Sequence, residues 1–256
     1  MRRLGFTGEM HRSGSAGAGP TNRQNGTVTI QMLSLFEEED HPSPPGGPAQ
    51  PPVAASHLAR IVADSTNRVA WLRARAQGIT ATDVAKLATP KSLQTAVYDK
   101  LNGSSFSGNS YTDHGRAREP EIAAWVQRRY GIEPSTALFH AADHRRHLAT
   151  PDGVGHGTGS SAGGLELAEI KTTSKAWRSI PRSYLRQVWW QQYVLGAERT
   201  LLVWEQHLDF VPVNAEPECR WIERDEDQIA ILVGYANNLI TLLNQQTTSG
   251  PPVGHG

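Results

Sequence analysis

Cysteine is nearly absent from this chain of 256 residues: Cys219 is the only one. That excludes a disulfide framework and a cysteine-rich zinc site, and it suits a reducing compartment. Long apolar runs are also missing. No stretch reaches the ~18 residues that a membrane span requires, so no membrane association is expected. No compact apolar segment follows Arg2 and Arg3, so a secretory signal is not expected either, and the protein reads as cytoplasmic. Charge of one sign is lacking too. Twenty-five Lys and Arg balance 25 Asp and Glu, giving a formal net charge of zero. This excludes a wholly basic nucleic-acid coat but leaves room for a locally basic groove. No internal repeat is visible.

What is present divides the chain into three parts. Residues 1–55 hold a Gly, Ser, Ala and Asn-rich stretch and then six prolines between Pro42 and Pro52. Such segments bury too little apolar surface to offset their ordering entropy, so 1–55 is expected to be a disordered tail. Residues 247–256 read the same way. The folded domain is expected over 56–246. Within it, His57–Asp64, Arg68–Ala76 and Lys91–Leu101 read as helices. Thr80 and Asp83 form a capping signature for a short helix, and Gly115–Tyr130 is an amphipathic helix ended by Gly131. One or two strands are expected in Ala137–Thr150, then a Gly-rich turn over Gly153–Gly164. A strand at Leu165–Lys171, a helix at Arg182–Leu195, paired strands at Thr200–His207 and Asp209–Val213, and a last helix capped by Asp225 complete the reading. This alternation indicates an α/β fold with a mixed central β-sheet flanked by helices.

The chemistry lies between Thr150 and Lys171. Pro151-Asp152-Gly153 is expected to end one strand, and Glu169-Ile170-Lys171 lies on the next. Side chains two apart on a strand share a face, so Glu169 and Lys171 point the same way, with Glu166 on the other side. A hairpin then brings Asp152, Glu169 and Lys171 to one point. Two hard carboxylates suit Mg²⁺ or Mn²⁺. A metal-bound water beside a lysine is the equipment of phosphodiester hydrolysis. The plain alternative is a surface hairpin with a solvated ion pair.

Pro151-Asp152-x16-Glu169-Ile170-Lys171 matches the PD-(D/E)xK nuclease motif. Three further segments follow the same order as in one family: Trp71, Arg75 and Gly78-Ile79-Thr80-Ala81-Thr82; His114-Gly115 with Glu119-Pro120; and Tyr184 with Gln187-Val188. On these the chain, over roughly residues 65–210, resembles the YqaJ-like viral recombinase family, to which phage lambda exonuclease belongs. The resemblance implies a restriction-endonuclease-like core. It implies a Mg²⁺-dependent DNA exonuclease, 5′-to-3′ on linear double-stranded DNA, encoded by a phage or prophage. A single-strand annealing protein as partner and a homotrimer are implied with it.

The resemblance also assigns roles. Asp152, Glu169, the Ile170 carbonyl and Glu119 would hold metal, Lys171 would position the water, and Gln187 would stand in the active site. Arg75 and Thr82 would hold the 5′-phosphate. The residues themselves leave alternatives. Three residues before Ile122, Glu119 reads as an inward carboxylate needing a partner, or as an N-terminal glutamate favoured by the helix dipole. Gln187 could be a half-buried structural amide, Arg75 a surface arginine and Thr82 a capping residue. His140, His144 and His147 have helical spacing but fall in a turn beside Asp143, Arg145 and Arg146. Arg178, Arg182 and Arg186 recur every fourth residue as a basic face. Met32-Leu33-Ser34-Leu35-Phe36 resembles the short peptide by which replication proteins dock on a sliding clamp. A RecB-like exonuclease, an endonuclease, or a DNA-binding module that does not cut are the rival readings. One cysteine excludes the subclass with a four-cysteine iron–sulfur cluster.

Overall fold

Two hydrophobic clusters, one on each face of a long central strand, organise the domain. The computed structural model describes residues 57–103, 109–157 and 163–248, all within the unit spanning residues 45–256. The expected N-terminal tail with its Met32–Phe36 segment, residues 158–162 of the Gly-rich turn and residues 249–256 of the expected C-terminal tail lie outside the described residues.

The helices are α1 (Arg68–Gln77), α2 (Ala81–Lys86), α3 (Pro90–Asn102), α4 (Ser110–Tyr130), α5 (Arg182–Leu195) and α6 (Glu226–Thr248). The strands are β1 (Ile61–Ala63), β2 (Ile79–Thr80), β3 (Glu133–Pro134), β4 (Leu138–His140), β5 (His147–Ala149), β6 (Gly153–His156), β7 (Leu165–Thr173), β8 (Arg199–Leu208), β9 (Val211–Pro212) and β10 (Glu218–Glu223). One sheet has the order β1-β4-β5-β2. The larger has the order β10-β8-β7-β6-β3, with β9 paired to β8. Both are mixed: β7 runs parallel to β8 and β2 parallel to β5, while the other pairs are antiparallel.

Local chemistry sets the element ends. Thr80 and Asp83 form the expected capping box of α2. Gly131 ends α4 in the left-handed region, φ 70°, where glycine carries no Cβ penalty. Asp225 accepts from the Gln228 amide at 3.0 Å and starts α6. Gly153 opens β6 in a space that only glycine fits, since a Cβ there would lie 2.9 Å from Ile132 Cγ2 and 3.1 Å from Ala168 Cβ.

β7 distributes the core by its alternation. Ala168 and Ile170 pack with Ile122, Ala123 and Val126 of α4. Leu165 and Leu167, on the opposite face, pack with Trp190 and Val194 of α5 and with Leu232, Ala236 and Leu239 of α6. Each fully buried large side chain of this kind contributes about 1.5–3 kcal/mol. Trp190 is wholly buried, and its indole N–H donates to the Leu148 carbonyl at 2.9 Å.

Three expectations are corrected. His57–Asp64 is not a helix: a 3-10 turn, His57–Arg60, leads into β1, which pairs with β4. The reason is Arg60. Its guanidinium reaches the carbonyls of His140 (2.7 Å), Val194 and Leu195 (2.9 Å), satisfying the C-terminal end of α5 from more than a hundred residues away. The stretch after Gly153 begins as a strand, because it pairs with Leu165–Ala168. Finally, β10 was not foreseen. It is the sheet's edge, and its apolar residues are only partly buried.

His147 is buried and stacks on His144, with ring centroids 3.8 Å apart and planes 7° apart; its Nδ1 lies 3.0 Å from the Tyr193 hydroxyl. The histidine spacing thus serves packing between β5 and α5. Burial, then the neighbouring His144, pushes its pKa down from 6.5 to about 3. The unfolded chain therefore binds this proton below pH 6.5 and the folded protein does not, so stability falls as pH drops through that range. Between pH 7.5 and 5 this amounts to about 2 kcal/mol. Thermal unfolding of His147→Gln is expected to lose that share of the acid sensitivity; an unchanged pH slope would contradict the assignment.

Candidate active site

Asp152 sits where β6 begins. Its backbone amide donates to the Ala168 carbonyl at 3.0 Å, which locks it beside β7. Its side chain then accepts from the Ile170 amide at 2.7 Å through Oδ2. Because β6 pairs with β7 only as far as Ala168, the Ile170 backbone has no strand partner on this edge and faces Asp152 instead. Alternate strand residues turn both backbone groups to one edge, so the Ile170 carbonyl lies there too. The expectation that Asp152 ends a strand is corrected: it precedes β6 and lies at the base of the hairpin. The expected proximity to Glu169 holds.

Glu169 and Lys171 share a face of β7, as period two requires. The Lys171 ammonium pairs with Glu169 Oε1. Glu169 is 1% exposed. Gln187 Nε2 also donates to Oε1, and Gln191 Nε2 donates to Oε2 at 2.7 Å. Both glutamines come from one stripe of α5, one turn apart. Three donors occupy three of the roughly four acceptor sites of a carboxylate. Asp152 Oδ1 accepts none among the described residues. Glu166 lies on the other face, as expected, buried and paired with Arg199 (2.8 Å).

The charges do not balance. Burial, reinforced by the Glu169 charge and then by Glu119, raises the Asp152 carboxyl well above its ordinary range; Lys171 and the Ile170 amide oppose this. Burial works against the Lys171 ammonium, but Glu169 and Asp152 outweigh it and lift its pKa. Glu119 is raised by partial burial and by Glu169. Three carboxylates thus share one contacting ammonium, with Arg75 and Arg116 only within electrostatic reach, a setting that suits a hard divalent cation. The donor chemistry fits such an ion: Asp152, Glu169 and the Ile170 carbonyl are adjacent hard oxygens. Among the described residues, however, no three His, Cys, Asp or Glu side chains stand close enough to hold a metal by themselves.

Glu119, expected to point inward, lies at the border of the site. Its side chain is exposed and makes no hydrogen bond among the described residues, although it remains within electrostatic reach of Glu169 and Lys171. Three helical residues turn through ~300°, which leaves Glu119 about 60° round α4 from Ile122. At that border the carboxylate is partly desolvated while still reached by solvent. Pro120 withdraws one N–H from the helix at this point. Glu121 is 70% exposed and pairs with Arg118.

Arg75 and Thr82 occupy the flank. Arg75 donates to Thr150 Oγ1 at 3.0 Å, two residues before Asp152, and its guanidinium lies 4.5 Å from the centroid of the Trp71 ring. Burial lowers its pKa, while Asp83 and Glu169 pull it back up. Thr82 is exposed in the first turn of α2 and makes no hydrogen bond to Arg75 among the described residues. Two arginines near the site are tied down: Arg146 donates to the Gln77 carbonyl (3.3 Å) and to Asn244 (3.0 Å), and Arg186, of the expected basic face, donates to the Ala85 carbonyl (3.3 Å).

Sequence reasoning missed Gln191, Thr150 and Arg118. Gln191 was visible only as part of the inner stripe of α5. Its Oε1 is buried without a partner among the described residues. Arg118 holds the buried Glu205 with two hydrogen bonds of 2.9 and 2.7 Å, joining α4 to β8 beside the site.

An α/β domain that brings a Pro-Asp turn onto a Glu-x-Lys strand, under a glutamine-bearing helix, is a restriction-endonuclease-like domain. Residues 70–198, half of the chain, match the YqaJ-like viral recombinase domain, and the chain belongs to that family. The fold is similar to that of LHK-Exo, an alkaline exonuclease from Laribacter hongkongensis (TM-score 0.52, 22% identity, 69% of this chain and 92% of that one). It is equally similar to LHK-Exo in complex with dAMP (TM-score 0.53, 21% identity, the same coverage). A phage-related exonuclease from Haemophilus somnus 129PT has TM-score 0.52 at 11% identity, over 67% of this chain and 96% of that one. At these identities the likeness is one of fold. No curated protein matches the sequence.

Replacing Gln191 by Leu leaves Glu169 Oε2 buried without its donor. Loss of such a bond to a charged group costs about 1–3 kcal/mol, so urea unfolding should shift by that amount. A midpoint equal to wild type would show that Gln191 does not hold Glu169.

Proposed function

We propose that the protein is a divalent-metal-dependent deoxyribonuclease, an exonuclease on linear double-stranded DNA in phage-type recombination. The convergence of Asp152, Glu169 and Lys171 at the base of the β6–β7 hairpin carries this reading. Family membership and the likeness to exonucleases of the same fold support it.

Asp152, Glu169 and the Ile170 carbonyl would hold Mg²⁺ or Mn²⁺, with Glu119 reaching in from α4 through water. Bound there, the ion supplies polarisation of a phosphoryl oxygen and a lowered pKa for an attached water. The chain's own residues do the rest. Gln187 and Gln191 fix both oxygens of Glu169, so its lone pairs keep one direction. Lys171 donates to Glu169 and presents its remaining hydrogens to the water and to charge developing on the phosphate. Tyr184 lies under that ammonium, with Nζ 5.3 Å from the ring centroid, and restricts its position.

Arg75 is the 5′-phosphate ligand in this reading, with Thr82 at the start of α2 as a further donor. Thr150 sets the direction of the Arg75 fork and ties it to the Asp152 turn. A terminal phosphate held there, a fixed step from the carboxylates, gives 5′-to-3′ polarity. Single strands so produced suit a partner annealing protein.

The test uses linear duplex DNA with one 5′-phosphorylated end and one 5′-hydroxyl end, the strands labelled separately. With Mg²⁺, label is expected to leave the phosphorylated end first. EDTA and Lys171→Ala should reduce cleavage by at least about a thousandfold, and Arg75→Ala should abolish the end preference. Wild-type rates from Lys171→Ala, or DNA bound but uncut by the native protein, would overturn the reading.

A further inference from the structure

A cavity of about 500 Å³ opens beyond the C-terminal end of β7, where the chain crosses from Thr173 to α5. That volume falls within the range of about 300–1,000 Å³ usual for small-ligand sites. The cavity borders the carboxylate site without belonging to it. Their common wall is Tyr184, whose ring lines the cavity on one side and lies under the Lys171 ammonium on the other.

Its lining combines two chemistries. One is aromatic: Trp177 stacks on Trp204, with ring centroids 5.2 Å apart and planes at 27°, and Tyr184 tilts against Trp177 at 5.2 Å and 37°. Trp204 belongs to a buried cluster with Val188 and Leu202, so this wall is anchored in the core. The other is cationic and donor-rich. Lys175, Arg178 and Ser183 line the cavity, and no lining residue is acidic. The Thr173 hydroxyl holds the loop by accepting from the Lys175 amide and donating to its carbonyl, each at 3.1 Å. The 14-residue helix α5 begins here behind Pro181, with no side chain capping its first turn; the Tyr184 and Leu185 amides bond to the Pro181 carbonyl, which leaves the amides of Arg182 and Ser183 and the positive end of the helix dipole at this end.

A flat ring system to stack on, beside cations and free N–H groups, is complementary to a nucleotide. The base offers a π-face of any sequence and the phosphate takes the cations. We propose that this cavity is a nucleotide subsite next to the carboxylates, with the base against Trp177 and Tyr184 and the phosphate at Lys175, Arg178 and the start of α5. The proposal deepens the nuclease reading and rests on it. It places a nucleotide of the cleaved strand, or the mononucleotide released from it, one step from Lys171.

The full chain, kept in EDTA so that nothing is cut, is titrated with dTMP and with a short single-stranded oligothymidylate, reading tryptophan fluorescence. Arg178→Glu reverses a charge on an exposed residue, and Ser183→Tyr fills the cavity from the exposed side of α5. Each is expected to weaken binding about tenfold, while Trp177→Phe, which keeps a stacking ring, stays within about threefold. Weakening confined to the oligonucleotide assigns the subsite to the chain; weakening of dTMP as well assigns it also to the released product. Binding of both probes within twofold of wild type in both variants overturns the subsite. Failure of the nuclease reading is seen separately, as absence of Mg²⁺-dependent cleavage by the wild-type protein in the presence of intact nucleotide binding.

Discussion

The structure depends on two carboxylates held together against their repulsion. β6 pairs with β7 from His156 to Gly153 and no further, and that register leaves Asp152 beside Ile170, one residue from Glu169. The surroundings make the repulsion tolerable. Glu169 is embraced by Lys171, Gln187 and Gln191, and the hairpin is clamped between the apolar layers of α4 and α5. Packing on both faces of β7 fixes a geometry that electrostatics alone would disperse. A site of this kind stores unfavourable charge in the free protein and releases it when a cation arrives.

The same logic extends outward. Arg118 neutralises the buried Glu205 and ties α4 to β8. Arg60 satisfies the last turn of α5, the helix that aims both glutamines. Arg75 is fixed by Thr150 and rests on Trp71. These arginines are long-range fasteners, and each holds an element that carries a site residue. Chemistry close to the carboxylates then falls to few groups: Lys171, the two glutamines and the Tyr184 ring that separates the carboxylates from the neighbouring cavity.

Much of this was legible in the sequence where the signal is local. Period two placed Glu169 and Lys171 together and Glu166 apart. Thr80 with Asp83 announced α2, and Asp225 announced α6. What was not legible depends on partners distant along the chain. Arg60 lies in a stretch that reads as helix until the α5 carbonyls it serves are in place. Gln191 reads as one more residue of a buried stripe, because only the position of β7 shows which oxygen it meets. β6 is too short and glycine-rich to show strand alternation, and it exists because β7 offers an edge. Glu119 stands at the border of its helix's apolar stripe, where spacing alone cannot decide between the cleft and water, and the structure leaves it at the edge, open to solvent yet within electrostatic reach of Glu169 and Lys171.

The most direct test of this account is the response of folding to Mg²⁺. Thermal unfolding of the wild-type protein and of Asp152→Asn is followed in EDTA and in excess Mg²⁺. The asparagine keeps an oxygen for the Ile170 amide but removes one of the clustered charges. Asp152→Asn should therefore melt a few degrees above wild type in EDTA, as expected for ~1 kcal/mol in a domain of this size, and show little response to Mg²⁺. Wild type should gain stability with Mg²⁺ by mass action. Equal melting temperatures in EDTA, with no Mg²⁺ effect on the wild-type protein, would contradict the claim that the hairpin holds unneutralised carboxylates for a cation.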